Sequence, residues 1–549
     1  MIERAIDLMM KYNFVELRLQ GEIPDEEDSF IIPFLPRRKK MTVWDLEKLL
    51  IGVSENPNVA GVLIKIGSLK IGLARAETIR RVILELREKG KKVFAYLEGG
   101  DNIEYLIASA ADYIVVPPWA ILNLLGLSAE VTFFRDALYK LGIEAQIKGL
   151  GEYKSAVETF TRSDMSEPHK EMVNSIIDDL FSQFIKYVSE GRGIDEKKLK
   201  ALIDSAPFTA QEALAHGLVN ELGYETDLEK SIEEILSTKI RKISSTGLLR
   251  VMTVRDLLRL IDERIRGRAG IIALICDSGI ITQGESRGSG GGPKTIGSQT
   301  LTKMLGRLAD DPGVKAIVLR LSSPGGSGIA SDSVRNQIKA ISQKKPVIVS
   351  MSDVAASGGY MIALGARKIV ANPLTLTGSI GIISGKFNME NLLKKLGIYK
   401  EWVKRGKRAL IYSSYRAFTK DEEQKIGSIM KSLYDDFVGK VAQVRDMDFK
   451  DAEQLARGRV WTGRQAKELG LVDELGGIKT AINLAKREAG ISGHLTPVIR
   501  LYSKPKYIQV SPFGKFFSLG EQLDSLVDGL LTLKREKILA MMPFWIDFK

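Results

Sequence analysis

Among 549 residues the chain has one cysteine and three histidines. A single thiol excludes an internal disulfide and any cysteine-rich metal site. Cys276 ends the run Ile271-Ile-Ala-Leu-Ile-Cys276, the setting of a buried strand thiol rather than a nucleophile. His169, His216 and His494 have no neighbours that mark any of them as the base of a Ser-His-Asp triad. A hydroxyl nucleophile here would therefore need a lysine kept neutral by burial. Long apolar runs are also missing. Glu3, Arg4 and Asp7 precede no long apolar stretch, so neither a signal peptide nor a membrane anchor is expected. The run from Tyr113 to Phe134 carries only Glu130, but Pro117-Pro118 divides it, and two buried strands with a turn account for it better than a membrane span. The net charge of +12 comes from dispersed residues, and its dense runs, Arg37-Arg-Lys-Lys40 and Lys404-Arg-Gly-Lys-Arg408, lack the interleaved aromatics that stack bases. A mildly basic surface is expected, without nucleic acid.

What the chain does have is a duplication. Asn56-Pro57-Asn58-Val59 recurs as Asp311-Pro312-Gly313-Val314, and Tyr105, Ala108, Ala111, Ile114, Val115 and Pro118 recur 255 residues later as Tyr360, Ala363, Ala366, Ile369, Val370 and Pro373. Thr209 to Gly223 likewise answers Thr462 to Gly476. In each copy apolar strands alternate with helices. Val62-Leu-Ile-Lys-Ile66 matches Ile317-Val-Leu-Arg-Leu321, and the stripe Ile79, Val82, Ile83, Leu86 matches Val334, Ile338, Ile341. That order predicts two α/β domains, each with a mainly parallel sheet flanked by helices. The expected division is a first repeat over 1–227, a helical connector over 228–268, a second repeat over 269–492 and a tail over 493–549. Within the second repeat Gly284 to Pro293 reads as a flexible loop. The tail's Ile538 to Phe548 suits contact with a membrane or another subunit, or packing on its own domain.

The copies differ where chemistry could sit. The second has Ser323-Pro-Gly-Gly326 directly after a strand, where paired glycines let N–H groups face a cleft; the pair alone does not choose between a phosphate cradle and an oxyanion hole, and no Walker signature follows. After the next strand comes Ala356-Ser357-Gly358-Gly359-Tyr360, which suits either a nucleophile at a strand-to-helix turn or a helix N-cap. At the 255 offset the first copy has Ser68-Leu-Lys-Ile71 and Asn102 in these places, so glycines and serine are absent together, as parts of one unit would be. Conversely Lys154, in Gly151-Glu-Tyr-Lys154-Ser-Ala-Val-Glu-Thr-Phe-Thr-Arg162, faces Ala409. By itself Lys154 is indistinguishable from a solvated surface lysine.

Tyr153-Lys154-Ser155-Ala156, Ser323-Pro-Gly-Gly326, Ala356-Ser357-Gly358-Gly359-Tyr360 and Thr377-Gly378-Ser379-Ile380-Gly381, in this order on a duplicated frame, resemble the long form of signal peptide peptidase type A (protease IV), in the ClpP/crotonase superfamily. The resemblance implies two tandem ClpP/crotonase-like domains and a serine protease without cofactor or metal. It implies Ser357 as nucleophile, Lys154 as general base, Ser379 as the residue that orients the lysine, and Gly326 and Gly358 as oxyanion donors. It further implies extended peptide substrates such as signal peptide remnants, a homo-oligomer of tetramer size, and a bacterial cytoplasmic-membrane-associated location; the family's N-terminal anchor is not found here, which points to a soluble alternative. Thr159 stands where the lysine motif usually has proline. Two other readings share parts of the pattern: a crotonase-like acyl-CoA hydrolase or hydratase, which would bring carboxylates to the site, and a non-catalytic membrane-associated scaffold.

Overall fold

The computed structural model describes residues 12–26, 40–244, 270–288, 294–492, 497–502 and 538–542. His494, residues 245–268 of the expected connector, and most of the tail lie outside them, as do residues 289–293 of the expected glycine-rich loop.

Val62-Leu-Ile-Lys-Ile66 and its copy read as near-continuous apolar runs because both are central strands covered on two faces. In the first repeat the order across the sheet is Lys242–Ser244, Phe14–Gly21, Gly61–Leu69, Lys92–Leu97, Tyr113–Val116 and Glu221–Leu222, with every pairing parallel. The second repeat gives the same order with Val498–Tyr502, Ile271–Ser278, Val314–Ser323, Val347–Ala356, Lys368–Ala371 and Glu474–Leu475, again all parallel. Both repeats thus close on strands from stretches read from sequence as connector and tail. Helices Leu73–Glu88 and Gly328–Ser342 bury the matched stripes against these sheets. The first ends at Lys89, followed by Gly90 at φ +79°, the left-handed exit that glycine adopts without strain. Cys276 is buried, and burial pushes its thiol pKa well up, so it is an inert strand thiol.

The repeats are joined by more than chain connectivity. In the first, Glu144–Leu150 is a strand that leaves its own sheet and pairs antiparallel with Ile382–Asn388 of the second, from Glu144 opposite Asn388 to Leu150 opposite Ile382. The copy of that stretch in the second repeat, around 399–405, forms no strand and is exposed. Polar contacts reinforce the seam. Arg75 donates to Asp353 through its backbone N at 3.0 Å and Nε at 2.5 Å, and Thr462 Oγ1 donates to Asp179 at 2.5 Å. Deepest is Arg320, fully buried, whose Nε donates to Asp25 Oδ1 at 3.1 Å while the rest of its fork reaches Ser350, Ser352 and the Met351 carbonyl. Burial alone would raise the Asp25 carboxyl pKa; Arg320 and Arg75 outweigh it and hold the group charged.

A buried ion pair is most damaging when half of it is removed. Arg320→Met is expected to lower unfolding stability by about 3–5 kcal/mol in a urea titration, and the double variant Asp25→Leu/Arg320→Met to regain most of it. A single variant as stable as the parent would show that the pair does not hold the seam.

Candidate active site

Ser357 stands between strand Val347–Ala356 and helix Gly358–Ala363. Its backbone sits at φ 54° and ψ −109°, a conformation that a serine adopts only under external constraint. The constraint includes a hydrogen bond from Ser357 N to Gly378 O at 2.7 Å. The N-cap alternative is not realised, since the Ser357 hydroxyl makes no capping bond to the helix. It meets Lys154 instead.

Lys154 arrives from the other repeat, four residues after the crossing strand Glu144–Leu150 and just before the short 3-10 turn Ser155–Val157. Its Nζ lies 2.8 Å from Ser357 Oγ, 2.7 Å from the Ser379 carbonyl and 2.9 Å from Ser379 Oγ. Lys154 is 2% exposed, and Ser357 and Ser379 are fully buried. Burial drives the amine pKa well below its ordinary value, with no carboxylate opposing it. Three polar neighbours suit a neutral amine: two N–H groups to donate, to the Ser379 carbonyl and hydroxyl, and one lone pair for the Ser357 proton. The carboxylates that an acyl-CoA hydratase reading requires are not among these partners.

Beside the serine, Gly325 and Gly326 adopt φ +106° and +149°, which exclude side chains. The turn is tied by Gly325 N donating to Ser323 Oγ at 3.1 Å. It places Gly326 N next to Gly358: a Cβ built on Gly358 would stand 3.3 Å from Gly326 N. Five residues singled out in the sequence, Lys154, Ser357, Ser379, Gly326 and Gly358, therefore converge in one chain. His169 and His216 do not join them. His169 is buried against Glu158, with Nδ1 3.0 Å from Oε2, and His216 packs on the Phe208 ring. Asn102, the copy of Ser357, donates Nδ2 to Gly126 O at 2.8 Å and serves its own repeat.

The sequence reading missed Gly458. The Ala456–Arg459 turn clasps the lysine segment: Tyr153 N donates to Arg457 O at 2.8 Å, Gly458 N to Ile380 O at 2.8 Å, and Ser379 N to Arg459 O at 2.7 Å. A Cβ on Gly458 would come within 2.5 Å of Lys154 N. The signal was present, since at the 253-residue offset of the end motifs Gly458 replaces Ser205. Among the described residues no group of His, Cys, Asp or Glu could hold a metal ion.

A buried serine and lysine in contact, with two backbone N–H groups alongside, is the equipment of a serine protease. The family model described as "Peptidase family S49" matches twice, over residues 85–239 and 339–492. The chain belongs to that family. It is 32% identical to the chloroplastic serine protease SPPA of Arabidopsis thaliana, covering 88% of this chain and 70% of the relative. With Protease 4 of Salmonella typhi it shares 31% identity over 92% of this chain and 79% of the relative. A solved ClpP1 mutant from Listeria monocytogenes aligns with 41% of this chain and 98% of its own at 16% identity, with a TM-score of 0.26, too low to bear on the fold.

The buried amine has a thermodynamic signature. Between the folded Lys154 pKa and the unfolded value of ~10.4, the unfolded chain binds a proton that the folded chain does not, so this residue makes stability rise with pH across that window. Lys154→Met is expected to be more stable than the parent at pH 7, with the difference in urea midpoint shrinking as pH approaches 10. A pH-independent difference would contradict a neutral lysine.

Proposed function

We propose that this S49 protease is an endopeptidase with a Ser/Lys dyad, acting through an acyl-enzyme on cleaved signal peptides and other short hydrophobic peptides. The observation that carries the proposal is the 2.8 Å contact of the buried Lys154 Nζ with the buried Ser357 Oγ. Ser357 Oγ attacks the peptide carbonyl and its proton passes to Lys154. The oxyanion is held by the N–H groups of Gly326 and Gly358, which act on charge that develops only in the transition state. Lys154 then protonates the leaving amine, and water attacks the ester with the same lysine as base. Ser379, bonded to Nζ through both its oxygens, keeps the lone pair directed at Ser357.

Substrate form follows from the sheet beside the site. Gly325–Ser327 and Ile382–Asn388 are separated by the width of one strand, which suits an extended chain and no folded one. The apolar character of Ile383, Ile147, Ala156 and Phe387 around that slot supports hydrophobic peptides. Oligomerisation, to a tetramer, remains part of the proposal. Trp119 is 92% exposed and Val403 89%, with Tyr139 and Tyr399 also open to solvent, and such apolar surface favours a subunit contact. Peripheral attachment at the cytoplasmic membrane is also proposed; among the described residues no helix is long and apolar enough to cross a membrane.

Ser357→Ala and Lys154→Ala are each expected to lower kcat/KM on an apolar reporter peptide by at least about 10³-fold, with circular dichroism unchanged. Ser379→Ala should retain partial activity with a pH profile displaced upward, because an amine with fewer partners is less restrained in its neutral form. Turnover above a tenth of the parent's in Lys154→Ala would end the dyad assignment.

A further inference from the structure

Helix Glu167–Arg192 of the first repeat runs along strand Val460–Thr462 of the second, with Val460 N donating to Met172 Sδ at 3.2 Å and Gln465 Nε2 to Ser175 Oγ at 3.2 Å. Arg459, directly before that strand, meets the residue next to Lys154. Its guanidinium carbon lies 4.7 Å from the centre of the Tyr153 ring and 4.7 Å from that of Trp461, so one planar cation faces a ring from each repeat. Glu171 closes the group. Its Oε1 accepts from Arg459 Nη1 at 2.6 Å and its Oε2 from the Tyr153 hydroxyl at 3.0 Å. Among the described residues Arg459 Nε has no hydrogen-bond partner, so the two rings and the one carboxylate are what orient the guanidinium.

The main chain of the same arginine reaches the site from another direction. Arg459 O accepts from Ser379 N at 2.7 Å, and a Cβ on Gly378 would stand 3.0 Å from that oxygen, so the peptide carrying Ser379 is laid against Arg459. Ser379 needs such support, since its φ of 52° is one that a serine holds only when its surroundings fix it. Ser379 in turn bonds Lys154 Nζ through its carbonyl and its hydroxyl. The Arg459 side chain thus fixes the residue before the lysine, and its carbonyl fixes the residue that directs the amine. As a stabiliser of the fold the group would be weak, because the Glu171 side chain is 56% exposed. As a spacer between Tyr153 and Ser379 it acts on distances to which proton transfer is steeply sensitive.

We propose that Arg459 is a positioning residue for the reaction: stacked on Tyr153 and tied to Glu171, it holds Lys154 Nζ between Ser379 and Ser357 Oγ. The proposal rests on the Ser357/Lys154 reading. Without the guanidinium, Tyr153 and the lysine segment move away from Ser379, and Nζ is less buried and keeps its proton to higher pH. The strands of the substrate slot, Gly325–Ser327 and Ile382–Asn388, are not hydrogen-bond partners of Arg459 among the described residues, so peptide binding is left in place.

The test follows hydrolysis of the apolar reporter peptide against pH in the parent, Arg459→Met, Arg459→Lys and Glu171→Gln, with Lys154→Ala beside them and kcat referred to the fraction of serine that an acylating probe titrates. In Arg459→Met, kcat is expected to fall by about tenfold with KM within about twofold of the parent's, and the acid limb of kcat to move to higher pH. Arg459→Lys keeps a cation over the rings but not the planar fork, and should recover part of the loss. Glu171→Gln, an exposed substitution, should move the limb in the same direction by less. An acid limb at the parental pH in Arg459→Met overturns the proposal while the dyad stands, and so does a loss confined to KM or to the titratable fraction. If Arg459→Met does not fold, an unmoved limb in Glu171→Gln overturns it. Parental turnover in Lys154→Ala overturns the dyad reading and the proposal with it.

Discussion

Everything at the site depends on keeping one amine away from water. Among the described residues no carboxylate bonds to Lys154 to stabilise an ammonium, and three neutral oxygens within 2.9 Å of Nζ are what the fold offers instead. An ammonium there would lose most of its hydration for little return, so burial disfavours the charged form, as the proposed role of base requires. The enclosure is made by backbone rather than by bulky side chains. Gly149, Gly381 and Gly458 approach so closely that a Cβ on any of them would come within 3.0 Å of the Lys154 residue or the Leu150 carbonyl beside it. Glycine at these positions is a packing requirement, and it is why the turn around Gly458 belongs to the site although it touches no reacting atom.

The duplication explains where the enclosure sits. Each repeat builds the same parallel sheet in the same order, yet neither holds a complete centre. The first sends Glu144–Leu150 across the seam and delivers the lysine; the second keeps the strained serine turn and the paired glycines. Once the roles are divided, the unused copies are free to drift. Asn102 is a local hydrogen-bonding residue, and 399–405, the copy of the crossing strand, forms no strand. Divided roles also make the seam part of the chemistry, since any displacement of one repeat against the other separates Nζ from Oγ. Asp25 with Arg320, and Arg75 with Asp353, lock that displacement from the buried side.

Much of this was legible from sequence, for identifiable reasons. Central parallel strands are apolar on both faces and helices repeat at 3.6 residues, so the two α/β repeats and their offset could be read directly. Ser357, Gly326 and Gly358 could be singled out because the other copy lacks them, whereas Lys154 needed the family resemblance: a buried lysine and a solvated one are spelled alike. Less was legible where pairing is remote. Nothing in Glu144-Ala-Gln-Ile-Lys-Gly-Leu150 names Ile382–Asn388 as its partner. Lys242–Ser244, Val498–Tyr502 and Ile538–Met541 are strands of three to five residues whose conformation is imposed by the edges they meet, which local propensity does not reveal.

The central claim is that Ser357 is activated by a lysine that is neutral because it is buried. The most direct measurement is the rate at which a serine-directed acylating probe modifies Ser357, located by peptide mapping, as a function of pH. Selective modification of Ser357 is expected, with a rate that falls as acid protonates a single group whose pKa lies well below the ordinary lysine value, and with that inflection lost in Lys154→Met. Modification that is equally fast without Lys154, or that follows an ordinary lysine titration near pH ~10.4, would contradict it.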